Sequence, residues 1–381
     1  MSVYFDNAAT SYPKPEKVYR NVDDFQRNIG ASPGRGTYSL ARKADRIVFA
    51  ARSLLSDLFN TKDITRIIFT CNVTESINLV LKGLLKEGDH VITTQMEHNA
   101  VWRPLKVLES QRNIKISILD CSAGKAFNPL ELQKLILPTT SLVVINHASN
   151  VTGTLMPLKE TGEICAKNNL PLLVDAAQTA GVYPIDVKDQ NISLLAFTGH
   201  KGLMGPTGTG GLYIAPNIEI QPLKEGGTGS ESMLEHQPEH LPDRFEAGTL
   251  NTAGIAGLGA GVEFILDHGV DKIRSREMEL TAYALEKLKT IPDLIIYGPD
   301  SASDRTGVIA FNFKTIAPEE VTYVLDEVYE IMARSGLHCS PQAHRAIGTI
   351  KGGTVRISFG FYNNDDEVDQ LIDALLEIAE A

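Results

Sequence analysis

No stretch of this 381-residue chain approaches the ~20 consecutive apolar residues of a membrane-spanning helix. Its start, Met1-Ser2-Val3-Tyr4-Phe5-Asp6, has neither the basic segment nor the apolar run of a secretory leader, so a cytoplasmic protein without a membrane span is expected. Basic residues are outnumbered, 36 Lys and Arg against 47 Asp and Glu, and a formal charge of −11 speaks against nucleic acid or an anionic membrane as partner. Cysteine is scarce. Cys71, Cys121, Cys165 and Cys339 show none of the paired spacings of a zinc ribbon or a redox dithiol, and in a reducing compartment they are expected as free thiols. Cys165 reads as helix core, and Cys71 and Cys121 lie at strand ends. Internal repeats and low-complexity tracts are also missing.

What is there is a regular alternation. The apolar run Ile67 to Thr70 precedes a helix face of Ile77, Val80, Leu81 and Leu84, and Val91 to Thr94 follows. The cycle continues through Ile116 to Leu119, Leu142 to Asn146, Leu172 to Asp175, Leu194 to Thr198 and Gly211 to Ile214. It predicts an α/β fold, with a mainly parallel sheet between helices and ligands at the carboxyl ends of the strands. Thr74, His98, Asn150, Asp175 and Lys201 all fall there. Past about residue 255 the texture changes to helices over 257–266 and 270–291, apolar segments at 294–297, 307–313 and 355–359, a helix over 319–328 and a terminal helix from Asp365. The expected division is an N-terminal arm 1–15, a large domain 16–255 and a smaller C-terminal α+β domain 256–381. Gly226 to Ser230, with the polar stretch to Asp243, reads as a long mobile loop. Gly205 to Gly211 reads as a turn into the next strand.

Within this frame, Ala196-Phe197-Thr198-Gly199-His200-Lys201-Gly202 sets a lysine just past an apolar strand, 26 positions beyond Asp175 at the tip of another. Poor hydration lowers the pKa of such a lysine and frees its amine to form a Schiff base. An aspartate on the neighbouring strand can hold a pyridinium nitrogen in its protonated form. The pair points to pyridoxal 5'-phosphate (PLP). Asn72-Val73-Thr74-Glu75-Ser76 opens a helix, and free amides beside a hydroxyl there suit the cofactor phosphate, although an ordinary N-cap has the same look. Cys339 lies in the polar, cationic segment Arg334-Ser335-Gly336-Leu337-His338-Cys339-Ser340-Pro341-Gln342-Ala343-His344-Arg345, a setting that exposes a thiol for reaction. His338, Cys339 and His344 lack a fourth candidate ligand, and no metal is expected.

Six segments in one order carry a resemblance: Asp6-Asn7-Ala8-Ala9-Thr10, Glu97-His98-Asn99-Ala100, Ser149-Asn150-Val151-Thr152-Gly153, Val174-Asp175-Ala176-Ala177-Gln178, Thr198-Gly199-His200-Lys201 and Arg244-Phe245-Glu246-Ala247-Gly248-Thr249. Together they resemble the class V aminotransferase group. Within it the chain is most similar to the cysteine desulfurases and selenocysteine lyases, above all those that mobilise sulfur for iron-sulfur clusters.

The resemblance implies the type I fold of PLP-dependent transferases. It makes Lys201 the Schiff-base lysine, Asp175 the partner of the ring nitrogen, His98 the imidazole stacked on the ring and Gln178 the contact to its phenolic oxygen. Thr74 and neighbouring Glu75, Thr198 and His200 fall at the phosphate end, with Thr249 given by the other subunit of a homodimer. Asn150 and Arg356, with Arg334 beside them, match the substrate carboxylate site, and Cys339 matches the cysteine that takes the sulfur. L-cysteine or L-selenocysteine is then the substrate, and a sulfur-acceptor protein the expected partner. Two features qualify the match: Tyr38 stands where many relatives carry a histidine, and the segment around Cys339 is short, which makes slow unaided turnover the expectation. A transaminase, a racemase or another lyase of the same fold would have no need of a thiol at Cys339, and a mere binding protein none of Lys201 and Asp175.

Overall fold

Asparagine caps and apolar alternation set the elements in a computed structural model that describes residues 2–34 and 36–380. The chain opens with β1 (Val3–Tyr4), α1 (Glu16–Asp24) and α2 (Ser39–Leu58). There follow β2 (Ile67–Thr70), α3 (Val73–Leu84), β3 (His90–Thr94), α4 (Asn99–Arg112), β4 (Lys115–Leu119), α5 (Pro129–Leu135), β5 (Thr140–Asn146), α6 (Leu158–Lys167), β6 (Leu172–Asp175), β7 (Leu194–Thr198) and β8 (Gly210–Ile214). Among the described residues these strands form one seven-stranded sheet in the order β2-β8-β7-β6-β5-β3-β4. Only β8 runs against its neighbours. The carboxyl ends of the other six therefore share one edge.

Successive side chains of a strand point to opposite faces, so the apolar runs fill two cores at once. Phe69, Val143, Ile145, Val174 and Phe197 lie in one, with α2 and α6. Ile68, Leu142, Val144, Leu173 and Ala196 lie in the other, with α3 and α4. Strands buried on both faces are the mark of a parallel sheet covered on each side. Asn72 and Asn128 accept backbone N–H bonds that start α3 and α5. Residues 205–211 turn the chain into β8, as expected, with Thr209 Oγ1 donating to the Pro206 carbonyl at 2.6 Å.

After residues 225–243, which carry neither helix nor strand, come α7 (Thr252–His268), α8 (Val270–Leu288), β9 (Leu294–Tyr297), β10 (Val308–Phe313), α9 (Pro318–Tyr329), β11 (Ile331–Met332), β12 (Arg334–Gly336), α10 (Pro341–Ala346), β13 (Thr354–Ser358) and α11 (Asp365–Glu380). A four-stranded antiparallel sheet, β12-β13-β10-β9, carries α8, α9 and α11 on its own core. Helix α7 runs through the expected boundary at 256, and its Leu258, Val262 and Ile265 lie in the first core of the large sheet. Ile273 of α8 still belongs there, whereas Leu280 belongs to the core of the small sheet, so the change of core falls inside α8. The N-terminal residues cross over as well. β1 pairs with β11, and Val3 and Phe5 are buried in the small unit.

Candidate active site

The six shared strand ends bring most of the expected residues together. Thr74 stands in the first turn of α3 after β2, His98 caps α4 after β3, Asn150 follows β5, Asp175 ends β6, and Lys201 follows β7. Gly199 makes the turn to Lys201 possible, since a Cβ there would meet Thr209 Oγ1 at 2.0 Å. The N-terminal arm closes over that turn: the His200 carbonyl accepts the Ser11 N–H at 2.9 Å and the Thr10 hydroxyl at 3.0 Å.

Burial, aided by Arg356, pulls the Lys201 amine down to about 8, against the opposing pull of Asp175 and Asp6. Asp175 is buried, and only Oδ1 takes a hydrogen bond among the described residues, from Ala177 N–H at 2.9 Å. Burial raises its pKa, with Ala177 N–H and Lys201 opposing. His98 Nδ1 accepts the Ala100 N–H at 3.0 Å, which puts the ring proton on Nε2. Burial, then Lys201, Arg103 and Arg356, pushes His98 down to about 4, so the ring is neutral.

Glu97, one residue before His98, was not singled out in the sequence. It is fully buried, and its Oε1 accepts the Thr94 hydroxyl at 2.8 Å and the Asn146 N–H at 3.0 Å. Burial raises it to about 8, with the charge of Asp175 adding to the rise. A carboxyl whose folded pKa exceeds its unfolded value stabilises the fold in its protonated form, fully below about 4.3, and this stabilisation is lost as pH climbs through 8. Glu97→Gln needs no proton. Its melting temperature should gain on the wild type steadily from pH 5 to 9, with Asp175 on β6 and Cys121 beyond β4 as the other titratable groups coupled to Glu97. A constant difference across that range would show that Glu97 ionises freely.

The substrate end holds a residue that sequence reasoning left without a role. Asp6 Oδ1 accepts Arg356 Nη2 at 2.7 Å, and Oδ2 accepts Arg334 Nε at 2.9 Å and Nη2 at 2.7 Å. Its signal was its place in the first quoted motif, 350 positions from Arg356. Arg356 is buried with Nε unpartnered among the described residues, while Arg334 is half exposed. Asn150, expected as a ligand of the substrate carboxylate, has protein partners in the structure. Its carboxamide bonds the His338 carbonyl and the Ser340 hydroxyl, each at 2.7 Å, and its carbonyl accepts Arg356 Nη1 at 3.1 Å.

Cys339 is exposed and its carbonyl accepts the Asn99 N–H at 2.8 Å, beside His98. Its surroundings are less cationic than expected. His338 is pushed down to about 2 by burial and neighbouring Arg356, with Nε2 against the Thr354 carbonyl at 3.1 Å, and Arg334 is tied to Asp6. Cys165 is buried, as expected for a core thiol, Cys121 is buried as well, and burial pushes both up to about 12.

At the phosphate end, Thr74 and Thr249 are exposed, and neither hydroxyl has a hydrogen-bond partner among the described residues. Thr198 is buried, and His200 Nδ1 is buried without a partner among the described residues. The carboxylate of Glu75 accepts the Cys71 N–H at 2.6 Å and pairs with Lys224 at 2.6 Å. Gln178 donates from Nε2 to the Ala8 carbonyl at 3.1 Å and lines a cleft with Lys201. Glu246 anchors the Thr249 segment to β2: it takes both Nη atoms of buried Arg52 at 2.8 and 2.9 Å and the Phe69 N–H at 2.6 Å. Tyr38 is exposed and caps α2.

The donor set fits PLP. A buried acid with an open oxygen suits a protonated ring nitrogen, an amine held near neutrality suits an aldehyde, and a helix start with open hydroxyls suits a phosphate dianion.

Comparison with known proteins agrees with this geometry. The chain belongs to the class V aminotransferases: the family model Aminotransferase class-V matches residues 3–371. It is 35% identical to the probable cysteine desulfurase of Methanothermobacter thermautotrophicus over 99% of this chain and 94% of that protein. It is 33% identical to the cysteine desulfurase of Salmonella agona over 98% and 93%. Among solved structures, the apo cysteine desulfurase of Thermococcus onnurineus NA1 superposes with a TM-score of 0.94 at 33% identity, covering 100% of this chain and 95% of that one. The fold is the type I fold of PLP-dependent transferases, and PLP is the cofactor.

Proposed function

We propose that the chain is a cysteine desulfurase that converts L-cysteine to L-alanine and leaves the sulfur as a persulfide on Cys339. The observation that carries this reading is the exposed Cys339, whose main-chain carbonyl accepts the N–H of Asn99, the residue after His98, and whose neighbours His338 and Ser340 bond the side chain of Asn150, which in turn bonds Arg356 through its carbonyl. Bound at this site, PLP supplies an aldehyde that captures the substrate amine and a ring that draws electrons from its Cα. Arg356, with Nε open, binds the substrate carboxylate and so orients the molecule. Asp175 holds the proton of the ring nitrogen, and Lys201 moves the proton at Cα. His98, neutral with its proton on Nε2, can donate from that atom. Deprotonated Cys339 Sγ bonds to the substrate sulfur as the Cβ–S bond breaks with its electron pair left on Cβ; one proton then goes to Cβ, and return of the proton moved by Lys201 to Cα completes alanine.

The same reading includes a homodimer in which Thr249 serves the phosphate of the neighbouring subunit. Its support is an exposed, unbonded hydroxyl on a segment fixed by the buried Arg52–Glu246 pair. It also includes a sulfur-accepting protein, since Cys339 sits in a tight loop with little reach. Among the described residues no helix is long and apolar enough to cross a membrane.

Rapid-quench assay of the purified holoprotein with L-cysteine should give an initial burst of about one alanine per site, then slow turnover that an added thiol reductant speeds. A keto acid in place of alanine would sink the reading in favour of transamination. L-selenocysteine in a parallel arm shows which chalcogen is preferred.

A further inference from the structure

The backbone around Cys339 is bent into an uncommon shape. His338 has φ 47° and Cys339 φ 57°, two successive left-handed residues that are not glycine, just after Gly336 at φ 104°. Such conformations persist where the surroundings over-determine them. Here one side chain joins the contacts that Asn99 and Thr354 make with the loop. The planar carboxamide of Asn150 reaches to both sides of Cys339, Nδ2 donating to the His338 carbonyl and Oδ1 accepting from the Ser340 hydroxyl, each at 2.7 Å. Asn150 and Ser340 are both buried, so neither bond competes with bulk water. The Ser340 N–H closes the turn on the Leu337 carbonyl at 2.9 Å.

We infer that Asn150 and Ser340 form a clamp that sets the attack position of Cys339, with Asn150 acting as a positioning residue for the nucleophile. The main-chain carbonyl of Asn150 also holds Arg356 Nη1 at 3.1 Å. The arginine that takes the substrate carboxylate and the thiol that takes its sulfur are thus gauged from one residue. A displacement of about 1 Å in a reacting group can cost a hundredfold in rate, which is what the clamp guards against. The inference rests on the desulfurase reading for its kinetic consequence, while its structural part stands on the loop alone.

The test uses the holoprotein and three variants: Ser340→Ala, Asn150→Ala and Asn150→Asp, the last keeping the acceptor for Ser340 and losing the donor to His338. Hydrogen exchange by mass spectrometry on peptides covering residues 336–341 should quicken roughly tenfold in all three, with the rest of the chain unchanged. In Ser340→Ala the cysteine kcat should fall roughly tenfold while KM stays within about twofold. If Asn150→Ala raises KM with no change in loop exchange, Asn150 is a substrate ligand and the clamp is overturned. Wild-type behaviour of Ser340→Ala in both measurements overturns it too. Should the alanine variants fail to fold, Asn150→Asp decides through the same peptides. A wild type that makes no alanine would defeat the desulfurase reading and leave loop exchange to judge the clamp.

Discussion

Lys201→Ala should lose alanine formation by roughly four orders of magnitude, because in the proposed mechanism the residue both holds the cofactor and moves the Cα proton. Lys201→Arg should fail equally, since a guanidinium keeps its charge at every working pH. Borohydride reduction of the wild type, digestion and mass spectrometry should put the pyridoxyl group on Lys201, and its discovery on another lysine would refute the assignment. The pH dependence has a definite sign. With its amine pulled down to about 8, Lys201 is protonated below that pH and free above it. Cofactor capture by the apoprotein should climb through pH 8 and level off, where an ordinary lysine would go on climbing toward about 10.4. A rise that continues past pH 10 would mean that the amine is solvated.

Cys339→Ala should abolish sulfide release from L-cysteine while sparing much of the activity on L-selenocysteine, because selenium leaves carbon more readily and has less need of the thiol. Iodoacetamide should label Cys339 ahead of Cys71, the other exposed thiol, which burial and the charge of Glu75 push toward its protonated form. Cys121 and Cys165 should stay unlabelled in the folded protein. Equal retention of both activities would remove Cys339 from the chemistry. Equal loss would reduce it to a structural part of the substrate site.

How far these residues could be read from the chain depended on range. Strand tips are local features: apolar runs of four to seven residues end where polar ones begin, which located Asp175 and Lys201 before any coordinates. Helix α2 escaped because its buried face mixes alanines, Ala41, Ala44 and Ala51, with polar Arg52 and Ser56, so that only Val48 and Leu55 carry a strong hydrophobic signal. The change of core inside α8 could not be seen either, since a single helix runs unbroken through it. Asp6 bonds Arg334 and Arg356 across 328 and 350 positions, and no spacing rule reaches that far. Asn150 was found by its motif, but its hold on the Cys339 loop depends on Ser340, a residue with no pattern of its own.

The crossing of the N-terminal segment into the small unit orders events during synthesis. β1 cannot find its partner β11 until residue 332 has left the ribosome, and Asp6 cannot meet Arg356 until later still. The strands from β2 to β8 can meanwhile pair among themselves, because all of them lie between residues 67 and 214. A nascent chain of that length holds every strand of the large sheet but lacks Arg334 and Arg356, so the proposed carboxylate site is completed last, with the closing of contacts between the two ends of the polypeptide.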